Sequence, residues 1–473
     1  MKHTMMAGLA AAVMAVFAAS ANAADIYLDG SDAAGASSFN TGANWTGDAA
    51  PSAGNNYLTG AYTLRASTTA SQTFAGDTLT VGPGGTLIVF NVPFGANDSG
   101  TILPKLYLNG ATILNGATTG TSQIRAYSGY TSDSLAKREL QKMYLDGDVI
   151  LDSSAGGKLE VAAQFVGAGG VTIKGNVSYS YTPLNGYHHV HAYSGDTVID
   201  PGATLSLTYC YMPYGAGKGD VIVNGTFTPF RDANINGLYG SGIVNAPGGS
   251  NALIVGNDGA DGDFSGRIQG GILRKTGAGT QILTGANTYT GGTQVNGGSL
   301  LVNNITASGT GTGAVAVNNG GTLGGSGFIG GPVTVAAGGK LSPGASAGML
   351  TINNSLNISA ALGGAAGSML FDLGDTVTLS GASVLTIGSG LLEWDDFVFS
   401  GAPTGPAVYT LFNTSAAISG TLGTNLSGKI GGLDATLSLD GSGQDILLTV
   451  IPEPATMTLL VLGGVAALIR RRR

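Results

Sequence analysis

The sequence predicts an all-β chain wound as a parallel β-solenoid, and three observations carry that expectation. Glycine supplies 81 of 473 residues, about 17% against an average near 7%, no collagen-like triplet appears, and only 10% of residues are charged. Apolar residues come in short β-branched or leucine-bearing pieces, such as Thr86-Leu87-Ile88-Val89-Phe90, Val221-Ile222-Val223 and Val333-Thr334-Val335, each bounded by Gly, Asn, Asp or Pro. A phrase of the form turn, Gly, x, Leu then recurs, as in Gly202-Ala203-Thr204-Leu205, Gly320-Gly321-Thr322-Leu323 and Gly338-Gly339-Lys340-Leu341. Such a unit cannot bury its apolar face alone. Stacking coils of roughly 20 to 25 residues about 4.8 Å apart gives a continuous core and pairs each strand with the coils above and below.

The first element, residues 1–23, reads as a signal peptide. Lys2 and His3 precede an apolar stretch from Met5 to Ala19, and Ala21-Asn22-Ala23 offers small residues for cleavage after Ala23. Between Ala24 and Pro454, fifteen Lys and Arg face all twenty-eight acids, a net charge of −13. Nucleic acid is excluded as a partner, because phosphate binding needs a basic face. Cys210 is the single cysteine, so no internal disulfide framework exists, and its expected role is a small buried apolar side chain.

Residues 24–265 form the expected N-terminal solenoid. Phe39 to Tyr57, with Trp45, is placed to seal the first coil, since an open solenoid end exposes strand edges. Ser134 to Tyr144, SLAKRELQKMY, has helix-forming composition and reads as a helical decoration. His188, His189 and His191 form the local anomaly. On a strand, Tyr187, His189, His191 and Tyr193 share one face, which makes them candidates for stacking on a carbohydrate, with an aromatic ladder along the coils as the plainer alternative. No third ligand completes a zinc site there. Asn257 to Asp263 resembles a calcium loop in acid content but lacks a terminal glutamate, and a polar turn explains it better. No metal or other cofactor is expected.

Residues 266–354 contain a denser motif. Leu273-Arg274-Lys275-Thr276-Gly277-Ala278-Gly279-Thr280 leads into Leu283-Thr284-Gly285-Ala286-Asn287-Thr288-Tyr289-Thr290-Gly291-Gly292-Thr293 and Val295-Asn296-Gly297-Gly298-Ser299-Leu300. This stretch resembles the autotransporter-associated β-strand repeat of bacterial passenger domains. The resemblance implies a right-handed parallel β-helix serving as a rigid exposed stalk, and it brings no catalytic residues. The family's outer-membrane barrel would need at least eight amphipathic strands near the end, and none is legible.

Residues 355–450 carry longer strand-like pieces with Trp394, Phe397 and Phe399, and read as a β-rich cap or a small β-sandwich. The remaining residues, 451–473, are the most specific. Pro452-Glu453-Pro454 precedes an uncharged apolar run, residues 455–469, and four arginines, Arg470, Arg471, Arg472 and Arg473. The run suits a transmembrane helix, short for a span, with the arginines held on the cytoplasmic side. The arrangement resembles the PEP-CTERM sorting signal of certain Gram-negative bacteria. That resemblance implies processing by an exosortase-type enzyme, transient anchoring in the inner membrane and delivery to the cell surface or extracellular matrix.

Enzymatic chemistry is the competing expectation, because parallel β-helices also cleave polysaccharides with clustered carboxylates. Only Glu139, Glu160 and Glu393 precede the sorting motif, and most aspartates sit beside glycine in turns. The expected function is therefore a non-enzymatic surface or matrix adhesion protein, with extracellular polysaccharide as a candidate partner. A carbohydrate-binding or carbohydrate-cleaving β-helix is the alternative.

Overall fold

The computed structural model describes residues 23–32, 38–69, 72–91, 101–102, 105–125, 142–180, 189–344, 347–362 and 366–451. Within them the chain is all-β and solenoid-like. Every strand pairing among residues that precede Ala407 is parallel, and each strand pairs with its counterpart one coil away. Three faces result, because each coil contributes up to three short strands, and faces two and three are joined through the long strand Val171–Ser180. Face one begins with Ala24–Tyr27, Asn55–Leu58 and Thr78–Val81; face two with Thr63–Arg65, Thr86–Val89 and Thr112–Asn115; face three with Gln72–Thr73, Thr101–Ile102 and Thr121–Arg125.

The core is a set of axial columns. Leu253, Leu273, Thr293, Val315, Val333, Leu356 and Leu385 stand in register on successive coils and all are buried. Strand alternation produces this. Val315–Val317 and Val149–Ser153 bury every second residue, so each coil delivers its apolar set inward and stacking completes the enclosure. Truncating one such leucine to alanine would cost about 2–5 kcal/mol.

Corners between faces are where glycine is indispensable. Gly240 (φ 100°) and Gly325 (φ 101°) each end a face-two strand, and a Cβ on either would lie 2.3 Å from a carbonyl oxygen of the coil below, that of Val223 or Val302. Buried Asn287 ties coils together directly. Its Oδ1 accepts the Ile268 amide at 2.7 Å and its Nδ2 donates to Gly309 O at 2.6 Å. Asn304 does the same, its Oδ1 accepting the Phe328 amide at 2.9 Å, and Asn318 Nδ2 donates to Asn296 Oδ1 at 2.7 Å.

The N-terminal seal stands where the sequence placed it. Trp45 is fully buried, its Nε1 donates to Phe39 O at 2.9 Å, and its ring meets Tyr57 edge-on at 4.9 Å. Leu28 bridges Trp45 in antiparallel fashion, which closes part of the first strand's outer edge.

Two expectations are revised. Lys142–Leu145 is a strand of face one, with Met143 buried between Leu106 and Phe165, so the helix expected over residues 134–144 does not extend through Lys142, Met143 and Tyr144. The rest of that segment lies outside the described residues. Stacking into the core outweighed the helical propensity of those three positions. Second, parallel coils continue beyond residue 354, through Met369–Asp372, Thr376–Leu379, Leu385–Leu392 and Phe397–Ser400. The pairing changes at Ala407–Thr414, which is parallel to Thr376–Leu379 on one edge and antiparallel to Ile446–Ile451 on the other. Leu433–Leu439 and Ser427–Ile430 extend this antiparallel sheet. The terminal sheet therefore grows out of the last coil, with Phe412 of its first strand packed on Phe371, which in turn meets Phe397.

Candidate functional site

The residues expected to meet a sugar divide. Tyr187 lies outside the described residues, and His189 is placed through its backbone, paired with Cys210. Alternation does put His191 and Tyr193 on one side of their strand, yet that side is the interior: both are buried, packed around Phe165 and Tyr179. They are unavailable as a carbohydrate platform. The physical reason is the pair of inward columns they continue, Leu106, Met143 and Phe165 leading to His191, and Leu108 and Leu145 leading, past Gly167, to Tyr193.

The electrostatics of this cluster suit a core. His191 Nδ1 accepts the Phe165 amide at 3.1 Å, standing in for a ladder carbonyl, which requires Nδ1 to be unprotonated. Burial pushes the Tyr179 and Tyr193 phenols well above the usual range, and the Tyr193 hydroxyl bonds Thr197 at 2.6 Å. Burial likewise pushes the Cys210 thiol up to about 12, and its Sγ donates to Tyr179 O. Such a thiol is inert as a nucleophile.

The described glutamates hold the scaffold. Glu160 Oε1 accepts Ser180 Oγ at 2.5 Å and Gln123 Nε2 at 2.7 Å. Glu393 Oε1 accepts the Thr424 and Asn425 amides, which hold its carboxyl below the usual range. In the run from Asn257 to Asp263, Asp258 receives the Ala260 amide and Asn236 Nδ2, so those acids shape a corner. Among the described residues no three His, Cys, Asp or Glu side chains converge as metal ligands.

The outward side of face two is the surface that the sequence reading missed. Ile150, Thr172, Val198, Ile222 and Tyr239 form one half-buried axial column on successive coils, and the Gly240–Phe264 bridge carries the face on to Asp263. Two residues before members of this column, and so on the same side, stand Asp148, Asp196, Asp220 and Asp261. Each uses Oδ1 to hold a backbone amide of the next coil: Gly170, Asp220, Gly237 and Thr280, at 2.7–2.8 Å. The charges of Asp196, Asp220, Asp261 and Asp263 converge near Tyr239. Burial raises the Tyr239 phenol first, and Asp220, Asp261, Asp196 and Asp263 raise it further. Asp220 itself is raised by burial and by Asp196 and Asp258, against the lowering by the Gly237 amide.

Two shallow grooves open along this side, of about 350 Å³ between Asp148, Thr172, Asp196 and Val198, and about 400 Å³ between Asn224, Tyr239, Asp263 and Thr284. A signal for this surface was present in the sequence. Gly147-Asp148-Val149-Ile150, Gly195-Asp196-Thr197-Val198 and Gly219-Asp220-Val221-Ile222 repeat one phrase, and stacking turns the phrase into a row.

No helix among the described residues is long and apolar enough to cross a membrane. Pro452, Glu453, Pro454, residues 455–469 and Arg470, Arg471, Arg472 and Arg473 lie outside the described residues, as do residues 1–22. Strand Ile446–Ile451 ends immediately before Pro452.

Comparison with known proteins defines the class. Residues 273–302 match the passenger-associated-transport-repeat family, and residues 450–473 match the PEP-CTERM protein-sorting motif. The chain therefore carries a PEP-CTERM sorting signal behind a body that contains an autotransporter-associated repeat. It is also similar to the Adhesin BmaC autotransporter of Brucella suis biovar 1 (strain 1330), with 44% identity over 109 residues, 23% of this chain. The matched stretch spans 3% of that relative's length. Sorting signal and adhesin likeness together mark an exported protein of the cell surface.

Proposed function

We propose that the protein is a non-enzymatic adhesion or matrix component: a right-handed β-helical stalk displayed at, or released from, a Gram-negative cell surface. Residues 1–23 direct export, an exosortase-type enzyme processes the chain near Pro452-Glu453-Pro454, and residues 455–469 hold it transiently in the inner membrane until then. The observation that supports this best is the coincidence of two independent features. The transport-repeat match at 273–302 falls within uninterrupted parallel coils, and the sorting motif begins where the terminal sheet ends. The use of Glu160 and Glu393 in scaffold hydrogen bonds favours a binding or structural role over polysaccharide cleavage.

The test is an epitope inserted at the Gly248-Gly249 corner, where a side chain meets nothing within 4 Å. Intact cells should label from outside, and deleting Arg470 to Arg473 should leave an unprocessed, unlabelled chain. A tag confined to the cytosol would overturn the reading.

A further inference from the structure

We propose that the outward side of face two is a binding track for a polysaccharide strand that carries amino groups, lying along the solenoid axis. Its sugar rings rest on the aliphatic column of Ile150, Thr172, Val198, Ile222 and Tyr239, and its ammonium groups face the row of Asp148, Asp196, Asp220, Asp261 and Asp263. The inference deepens the adhesion reading, and its biological meaning rests on the body being displayed outside the cell.

Three features select this occupant. The first is chemical. Pyranose rings present C–H faces that pack on aliphatic and aromatic side chains, which the half-buried column supplies, and hydroxyl and ammonium groups that charged acceptors bind strongly. Each of Asp148, Asp196, Asp220 and Asp261 spends one oxygen on the amide of the next coil and has, among the described residues, no partner for the other. None of the five aspartates makes an ion pair with a described lysine or arginine.

The second feature is periodicity. Successive coils stand about 4.8 Å apart, close to the length of one β-linked hexopyranose, whereas an extended peptide advances only about 3.3 Å per residue. A glycan strand stays close to register over the few coils of this track, and because successive β-1,4-linked residues are flipped, every second amino group faces the row. A peptide strand drifts out of register within a few.

The third is charge complementarity. A second copy of this chain, with its net charge of −8 and the same aspartate row, meets this face with like charge. An anionic polysaccharide is repelled for the same reason, and a neutral one leaves the free carboxylate oxygens without the counter-charge that an ammonium group supplies.

The experiment uses the full chain and four probes: soluble chitosan, which is a β-linked glucosamine polymer, its N-acetylated oligomer, polygalacturonate and polylysine, at mildly acidic pH and low salt. Chitosan should bind and the other three should bind far more weakly. Asp196→Asn and Asp220→Asn keep a carbonyl oxygen for the inter-coil amide while removing the charge, so the coil is preserved. Each should weaken chitosan binding on the order of tenfold. Tyr239→Ala tests the platform and should weaken it too. Asp434→Asn, on the terminal sheet and paired with Lys429, should change nothing.

Equal binding of the N-acetylated oligomer or of polylysine, indifference to the aspartate substitutions in a normally folded variant, or no chitosan binding would each overturn the proposal. Failure here with the epitope still on the surface leaves the display reading intact, and binding by a chain that never leaves the cytosol does the reverse.

Discussion

The coils of residues 266–354 and those before them use the same rung at different spacing. In the repeat region Leu273, Thr293, Val315 and Val333 follow one another at steps of 20, 22 and 18 residues. Upstream, Leu79 pairs with Leu106, Leu106 with Met143 and Met143 with Phe165, a far less even series. The difference lies at the corners. The core demands only that inward residues meet in register, and lengthening a corner adds little, since doubling a flexible loop costs only about 0.6 kcal/mol. Both regions hold tight corners, where a Cβ on Gly277 (φ 66°) would lie 1.9 Å from Gly256 O and one on Gly240 2.3 Å from Val223 O, but at an open corner such as that of Gly248, after Ile243–Ala246, a Cβ meets nothing within 4 Å.

Four substitutions sharpen that contrast, beginning with the largest. Trp45→Ala opens the sealed end and should destabilise the first coils by about 3–5 kcal/mol, read as early loss of tryptophan-independent β signal in thermal unfolding. A Tm equal to wild type would show that the seal carries no weight.

Gly277→Ala should cost about 2 kcal/mol or more, because a left-handed backbone and a backbone clash act together at one position. An unchanged urea midpoint would mean that the tight corner yields freely.

Lys275 offers a test of the same corner by pH. It is fully buried in a column otherwise occupied by Val255, Val295, Val317 and Val335, and its Nζ donates to Thr276 O, Gly277 O and Gly297 O. Lys275→Val leaves those carbonyls without their donor and should cost about 1–3 kcal/mol near neutral pH. Burial lowers the lysine to about 8 from 10.5, outweighing the opposite pull of Asp261. Between those values the unfolded chain holds the proton more often than the folded one, so wild-type stability should rise with pH across that window. The valine variant should lack that component. A flat difference between the two from pH 8 to 10.5 would sink the assignment.

Gly248→Ala should have the smallest effect, neutral to about 0.5 kcal/mol stabilising, through loss of unfolded-state freedom. Destabilisation comparable to Gly277→Ala would erase the distinction between the two kinds of corner.

Much of this architecture was legible in the chain. The strand pieces at Val221–Val223 and Val333–Val335 stand where alternation and turn residues put them, and Trp45 seals the end proposed for it. Other features depend on the direction in which a strand faces. His191 and Tyr193 share a side, as period two requires, but periodicity does not say which side is interior. Lys142, Met143 and Tyr144 favour a helix locally, and the vacancy between Leu106 and Phe165 in the column decided otherwise. The extension of coils past residue 354 was hidden by its aromatic content, which serves the terminal packing around Phe371 and Phe397.

By itself, then, the order of residues determined the kind of rung, the sealed start and the sorting tail, because turn chemistry, alternation and an apolar run flanked by arginines are local properties. Only the tertiary structure decided that Asp148, Asp196, Asp220 and Asp261 lie along one face, the last three near Tyr239. Their separations along the chain differ because coils differ in length, and the stacking of carbonyl on amide, coil upon coil, is what brings them into line.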